Sequence, residues 1–297
     1  MDACVFIHTN AKQGIGARVA AHAVRRASLH NDRFDVRILS TEDHGFMREF
    51  HRRPYLRNGE KRIWRNDDLQ SFTPLRFMPP ELMGYRGRAV VMDPDVFARA
   101  DLWHLLSRPM SGAIGCRRLG GEKGRGGRMA SSVMLLDCAR LSHWRCEEHF
   151  RELFRFERDY TPWIRLQLED PASLEPIEPE WNDFDRLADD TKMVHNTARR
   201  TQPWKTGLPI DFRPPDRGRS AASKALSALR RRLFGEYAFA GRYLPHPDPR
   251  QEAFFFGLLR ECVEAGTITE VELRREIASR HLRPDAFDVM DRVPPAG

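Results

Sequence analysis

The apolar run Arg88-Ala-Val-Val-Met92, closed at once by Asp93-Pro94-Asp95, limits the fold more than any other stretch of the 297-residue chain. An apolar run of this length reads as a strand, and the two carboxylates fall at its C-terminal end. In an open α/β sheet that end faces the crevice where ligands bind. Other short apolar runs repeat the theme. Cys4–His8 reads as a buried strand, and Phe34–Leu39 as a strand in which Phe34, Val36 and Ile38 alternate with Asp35 and Arg37. Gly112–Cys116 and Ser132–Asp137 read as two more, and Ala17–Ser28 as a helix between strands. Strands separated by helical stretches predict an α/β fold with a mainly parallel central sheet.

The chain is long enough for one large domain with a small addition. Arg213–Ser220, with two prolines and dense charge, reads as a linker. Residues 1–212 then form the main domain, and 221–297 a helical C-terminal region, a small appendage. Within it Ala221–Phe234 reads as a basic amphipathic helix and Gln251–Ala265 as another amphipathic one. Thr269 with Glu272 three positions on reads as a capping box. Leu119–Arg128 is glycine-rich and basic; it lacks the ending of a P-loop and reads as a surface loop.

Lysine and arginine total 49 against 42 acidic residues, a net charge of +7. That balance suits nucleic acid, an anionic membrane or phosphate-bearing small molecules. No helix-turn-helix, RNP motif or zinc finger accompanies the Arg230-Arg231-Arg232 cluster, so a nucleic-acid partner is not expected. The basic helix 221–234 could lie on anionic lipid or pack on the main domain, the latter being the ordinary fate of such a face. Five cysteines with no CxxC pair exclude a cysteine zinc site and a disulfide framework. Reduced thiols and an N-terminus without signal-peptide features point to the cytoplasm, peripheral contact with a membrane's inner face included.

Carboxylate oxygens suit hard cations such as Mn²⁺ or Mg²⁺, which neutralise a departing diphosphate. Asp-x-Asp arises by chance in a chain this acidic, so the signal rests on its company. Arg76 lies upstream, at the start of a helical stretch, where its guanidinium could hold a phosphate or reach the carboxylates. Val194-His195 is a short strand end followed by Gln202-Pro203-Trp204-Lys205. His195 could ligate a metal, and Lys205 could contact a phosphate.

In this order the segments resemble the family 8 glycosyltransferases, the glycogenin and lipopolysaccharide galactosyltransferase group. The carriers are Val5–Thr9, Arg76 with Ala89–Asp95, Ser131–Asp137, Trp181-Asn182, and His195 through Trp204. Together they run from Cys4 to Phe212, roughly two thirds of the chain. The resemblance implies a GT-A-type nucleotide-sugar-binding fold and a retaining, hexosyltransferase-like enzyme with a divalent cation and usually a UDP-sugar donor. Carried over residue by residue, it makes Asp93, Asp95 and His195 the metal ligands, sets Thr9 by the base, and places Arg76 by the carboxylates or phosphates. Asp93 would also face the ribose.

The chain departs from the family pattern at three points. Ala130-Ser131-Ser132 stands where the family has Asn-Ser-Gly, and Gln202 where it has lysine, which leaves Lys205 to supply the charge. An Asp-Gln pair is missing. Gln167 is the counterpart of its glutamine, near the face where a retaining reaction occurs, with Glu169 or Asp170 for its carboxylate. A relative that keeps the fold and binds a donor or glycan without turnover is the competing expectation.

Overall fold

The computed structural model describes residues 2–120, 128–212 and 240–296, with positions 226, 229, 233, 235 and 237 between them. Its centre is a six-stranded sheet in the order β2-β1-β5-β8-β7-β9. The strands are β1 (Ala3–Thr9), β2 (Asp35–Ser40), β5 (Arg88–Met92), β7 (Ile114–Leu119), β8 (Arg128–Asp137) and β9 (Leu174–Ile177). Two further strands, β3 (Pro54–Arg57) and β4 (Glu60–Ile63), make a hairpin. Pairings β1–β2, β1–β5 and β7–β9 are parallel, and β8 alone runs against its neighbours β5 and β7. The expected mainly parallel α/β sheet is therefore present.

Both faces of the sheet are covered. Val5, Ile7, Val90, Met92, Val133 and Leu135 join one core. Phe6, Ala89, Val91, Met134 and Leu136 join another, with Phe77, Trp144, Phe150 and Trp163. The unbroken apolar runs follow from this two-sided burial. β2 is the exception. It is an edge strand in which Ile38 is 38% exposed and Leu39 is buried, so the alternation of Phe34, Val36 and Ile38 does not mark a single buried face.

Helix Gly14–Ala27 lies on the first core through Ile15, Val19, Ala20, Ala23 and Val24. The C-terminal helices, read from sequence as an appendage, pack into that same core. Phe254, Phe255, Phe256, Leu258, Leu259 and Cys262 of helix Pro249–Glu264 are buried with it. Phe255 stacks on Trp204 at 4.7 Å and meets Phe97 edge-on at 5.4 Å. Each such buried ring contributes roughly 1.5–3 kcal/mol, enough to fix the helix on the sheet. The capping box is formed: the Glu272 carboxylate accepts from Thr269 N at 2.8 Å, and Thr269 Oγ1 accepts from Glu272 N at 3.3 Å. Arg18 of the first helix donates to Glu272 at 2.8 Å, tying that cap to the main sheet.

The linker 213–220, the glycine-rich segment 121–127 and most of 221–234 lie outside the described residues. Among the described residues no helix is long and apolar enough to cross a membrane.

All five cysteines are free and buried. Burial pushes the thiols of Cys4, Cys116, Cys138 and Cys262 up to about 12, and that of Cys146 higher still. Almost no thiolate exists at neutral pH in the folded chain. An aromatic disulfide reagent should therefore label no cysteine within minutes at pH 8 and all five in denaturant. A fast-reacting thiol in the native protein would contradict the burial.

Candidate metal centre

A second, three-stranded sheet brings distant residues together. It is ordered β10-β11-β6, with β6 (Val96–Ala98), β10 (Asp183–Phe184) and β11 (Met193–His195). β6 begins just after Asp95. β11 pairs with it antiparallel, with His195 opposite Val96. Asn196 N donates to Asp95 O at 3.0 Å and locks that register. β5 meanwhile delivers Asp93 at its C-terminal end, where Asp93 N donates to Ser132 O at 2.9 Å. Ligand atoms of Asp93, Asp95 and His195 consequently lie within 4.8 Å of one another.

The first helix presses on this turn from below. A Cβ built on Gly16 would lie 2.6 Å from Pro94 O, so only glycine admits the close approach of the helix to the Asp-Pro-Asp segment. Gly16→Ala must shift helix or turn, and we expect a loss of about 1–3 kcal/mol in urea unfolding. Unchanged stability would show that the helix can recede freely.

Asp93 is held tightly. Arg76 Nε donates to its Oδ1 at 3.0 Å, and Arg76 Nη2 donates to Oδ1 at 2.6 Å and also to Oδ2. His8 Nε2 lies 2.6 Å from Oδ1. Burial by itself would push the Asp93 carboxyl up, but the charge of Arg76 and the His8 hydrogen bond outweigh it and leave Asp93 well below the usual carboxylate range. Burial pushes the His8 pKa down, and the hydrogen bond to Asp93 offsets part of that. Arg76 also donates from Nη1 to Ser131 Oγ at 2.8 Å, and Ser131 passes its proton to Ile164 O at 2.6 Å.

His195 is oriented by a chain of amide and hydroxyl groups. Asn182, fully buried, donates from Nδ2 to Ser132 Oγ at 3.0 Å. Its Oδ1 is thus the acceptor for His195 Nδ1, 2.7 Å away. With the proton on Nδ1, the Nε2 lone pair points to Asp95 Oδ1 at 3.4 Å. Asp95 Oδ1 is buried and has no hydrogen-bond partner. A carboxylate oxygen and an imidazole lone pair facing each other without a proton between them repel unless a cation joins them. Two carboxylates and one imidazole suit a divalent ion of the Mn²⁺ or Mg²⁺ kind. The residues therefore fit such an ion.

The remaining sequence-derived candidates are placed as follows. Thr9 is buried at the end of β1, its hydroxyl on Asn10 O at 3.2 Å. Asn10 in turn donates to Asp68 O and to Ser71 Oγ and so pins the segment before Arg76. Lys205 is fully buried and donates to Asp211 Oδ2 at 2.9 Å; burial pushes its pKa down and Asp211 offsets part of that. Lys12 and Tyr243 share the same carboxylate. Lys205 thus takes part in an internal ion pair with Asp211.

Gln167 is exposed, just after Leu166 at positive φ, and its backbone N donates to Pro162 O at 2.9 Å. Glu169 accepts from Trp144 Nε1 at 2.9 Å and meets His143 Nε2 at 2.9 Å. Both of its oxygens are engaged, one by Trp144 and one by His143. His8, Gln13 and the hydrogen-bonding role of Asn182 were missed. Lone buried polar residues carry no local pattern, and only the Trp181-Asn182 pair gave a signal.

No family model matches the chain, and no curated protein matches it in sequence. Solved structures do resemble it. Mouse xyloside xylosyltransferase 1 in its apo form is 12% identical, with TM-score 0.45, over 67% of this chain and 98% of that one. Galactosyltransferase LgtC with donor and acceptor sugar analogs is 14% identical, with TM-score 0.47, over 79% and 96%. Glycosyltransferase GlyE of Streptococcus pneumoniae TIGR4 is 12% identical, with TM-score 0.47, over 90% and 64%.

Proposed function

We propose that the chain is a glycosyltransferase that moves a sugar from a nucleotide-diphosphate sugar, UDP-linked, to an acceptor, with retention at the anomeric carbon. A divalent ion, Mn²⁺ or Mg²⁺, would be held by Asp93, Asp95 and His195. The observation that supports this reading is the pairing of the free Asp95 Oδ1 with the His195 Nε2 lone pair at 3.4 Å. When bound, such an ion supplies Lewis-acid stabilisation of a departing diphosphate.

The chain's own groups prepare for that task. Arg76 keeps Asp93 ionised in a buried place. Asn182 keeps His195 in the ligating tautomer. Ser131, bound to Arg76, connects this charge cluster to the backbone at Ile164, three residues before Gln167. Gln167 is the side chain we assign to the sugar-bearing side of the donor, and Thr9 the one by the base. The engagement of Glu169 by Trp144 and His143 favours a second reading, in which donor binds without turnover.

The test is incubation of the chain with Mn²⁺ and a panel of UDP-sugars, read by release of UDP. Metal-dependent release with one or two sugars is expected. Tight UDP-sugar binding with no release under any condition would select the second reading. Contact of residues 221–234 with anionic lipid remains part of the proposal. Leu226, Leu229 and Leu233 are 50%, 53% and 65% exposed, and the rest of the segment's case is its sequence. Flotation of the full chain with anionic vesicles should be lost when Lys224, Arg230, Arg231 and Arg232 are all changed to glutamine; equal flotation would remove this partner.

A further inference from the structure

The position occupied by lysine in the resembled family is glutamine here, and its surroundings show a use for the change. Gln202 is 1% exposed and donates from Nε2 to Asp95 Oδ2 at 3.0 Å. Its other end, Oε1, accepts from Gln13 Nε2 at 3.1 Å. Gln13 is 2% exposed and is the N-cap of the first helix, four residues past the end of β1. The two ends of an amide have nearly the same shape and opposite sense: the N–H₂ end attracts a carboxylate and the oxygen end repels it. Gln13 can reach Gln202 as a donor only if the Gln202 oxygen faces it. That leaves the N–H₂ end for Asp95.

We propose that Gln202, oriented by Gln13, is a positioning residue for the cation: it fixes one oxygen of Asp95 and leaves the other free to face His195. The proposal rests on the metal reading above and adds the means by which Asp95 is aimed. Two features support it. Asp95 Oδ2 is taken by Gln202 while Oδ1, the oxygen nearest His195 Nε2, has no partner. The amide is also neutral, so Asp95 keeps its full negative charge. A lysine at the same place would hold the same oxygen but set a positive charge against the incoming ion.

The experiment uses the full chain and Mn²⁺ alone, with binding followed by calorimetry and by the electron paramagnetic resonance of free Mn²⁺. Gln202→Met should weaken Mn²⁺ binding about 10-fold to 100-fold, the usual loss when an outer hydrogen bond to a ligand is removed. Gln13→Met should weaken it less, about 3-fold to 10-fold, below that scale, because Gln202 keeps its contact with Asp95 but loses the partner that steadies its amide. The double variant should bind as Gln202→Met does, since the Gln13 contact acts only through Gln202. Melting without Mn²⁺ monitors the fold. Gln13→Met removes a buried oxygen that lacks a partner, so it is expected to fold and alone decides the matter if Gln202→Met does not.

Wild-type Mn²⁺ affinity in folded Gln202→Met or Gln13→Met, beside a loss in Asp95→Ala, would overturn the positioning role and leave the metal reading standing. Additive losses in the double variant would overturn the relay. Wild-type affinity in Asp95→Ala would instead remove the metal reading itself.

Discussion

Asp95→Ala should lower the affinity of the chain for Mn²⁺ by more than ~100-fold, a loss larger than that expected from any outer contact. The reason is an asymmetry between the two carboxylates. Asp93 is already committed: Arg76 and His8 hold its oxygens, at 2.6 Å each in the shortest contacts to Oδ1. Asp95 has one oxygen on Gln202 and one with no partner. It is also the more exposed of the two, with 14% of its side chain accessible against 7% for Asp93, so it opens the group of three to solvent. The charge that meets an incoming ion is therefore chiefly that of Asp95. Its removal should leave the fold intact, because no buried cation depends on it. Melting temperature in the absence of metal should fall by no more than a few degrees, the cost of leaving the buried Gln202 amide without its acceptor. A folded Asp95→Ala protein that binds Mn²⁺ as wild type does would show that the ion, if any, sits elsewhere.

Arg76→Leu carries the largest expected effect on stability, about 3–5 kcal/mol in denaturant unfolding. Arg76 and Asp93 are both buried, and His8 beside them is completely so. Their mutual attraction is what offsets the removal of both charges from water. With the guanidinium gone, Asp93 is left in a buried site with only His8 beside it. Either it stays charged at a cost or it takes up a proton. Ser131 loses its donor in the same step. The midpoint should fall with the slope unchanged, which separates lost stability from a change in the unfolded state. A loss below about 1 kcal/mol would mean that water reaches Asp93 and the pair is effectively a surface one.

These two expectations divide the site into a part that holds and a part that binds. Arg76, His8 and Asp93 form a buried charged cluster that the fold needs. Asp95 and His195 present the atoms that are free. Both parts sit at the C-terminal end of β5, but the first is anchored in the main sheet and the second between β6 and β11. A single departure in the pairing of β11 with β6 would therefore separate His195 from Asp95 while leaving Asp93 in place.

The strands that build the main sheet were legible because burial on both faces leaves unbroken apolar runs, as in Val5–Ile7 and Ala89–Met92. Asp93 and Asp95 were legible for the same reason: they follow such a run directly. His195 was found through its ordered neighbours, and the antiparallel register of β11 with β6 explains why a residue so distant in sequence arrives beside them. The hydrogen bonds that aim these ligands were not legible. Gln13 reaches Gln202 across a chain separation of 189 residues, and Asn182 reaches Ser132 across 50. Periodicity records which face of an element is buried, not which amide meets which carboxylate. Nor were the partners of Lys205 and Glu169 inside the fold legible. Each is a charged residue beside a motif, which suggested exposure to a ligand. Each has internal partners, Lys205 in Asp211 and Glu169 in Trp144 and His143. The C-terminal helices were read as separate because a charged, proline-bearing stretch precedes them, yet Phe254–Phe256 carry an apolar face that only the main sheet can cover.

In the proposed function, Asp93, Asp95 and His195 hold an ion through which a nucleotide diphosphate is bound. Calorimetric titration of UDP into the chain, first with Mn²⁺ and then with EDTA, addresses it most directly. Saturable binding with Mn²⁺ that disappears with EDTA, and that is absent in His195→Ala under both conditions, is the predicted result. UDP binding of equal strength in EDTA, or retained in His195→Ala, would contradict it.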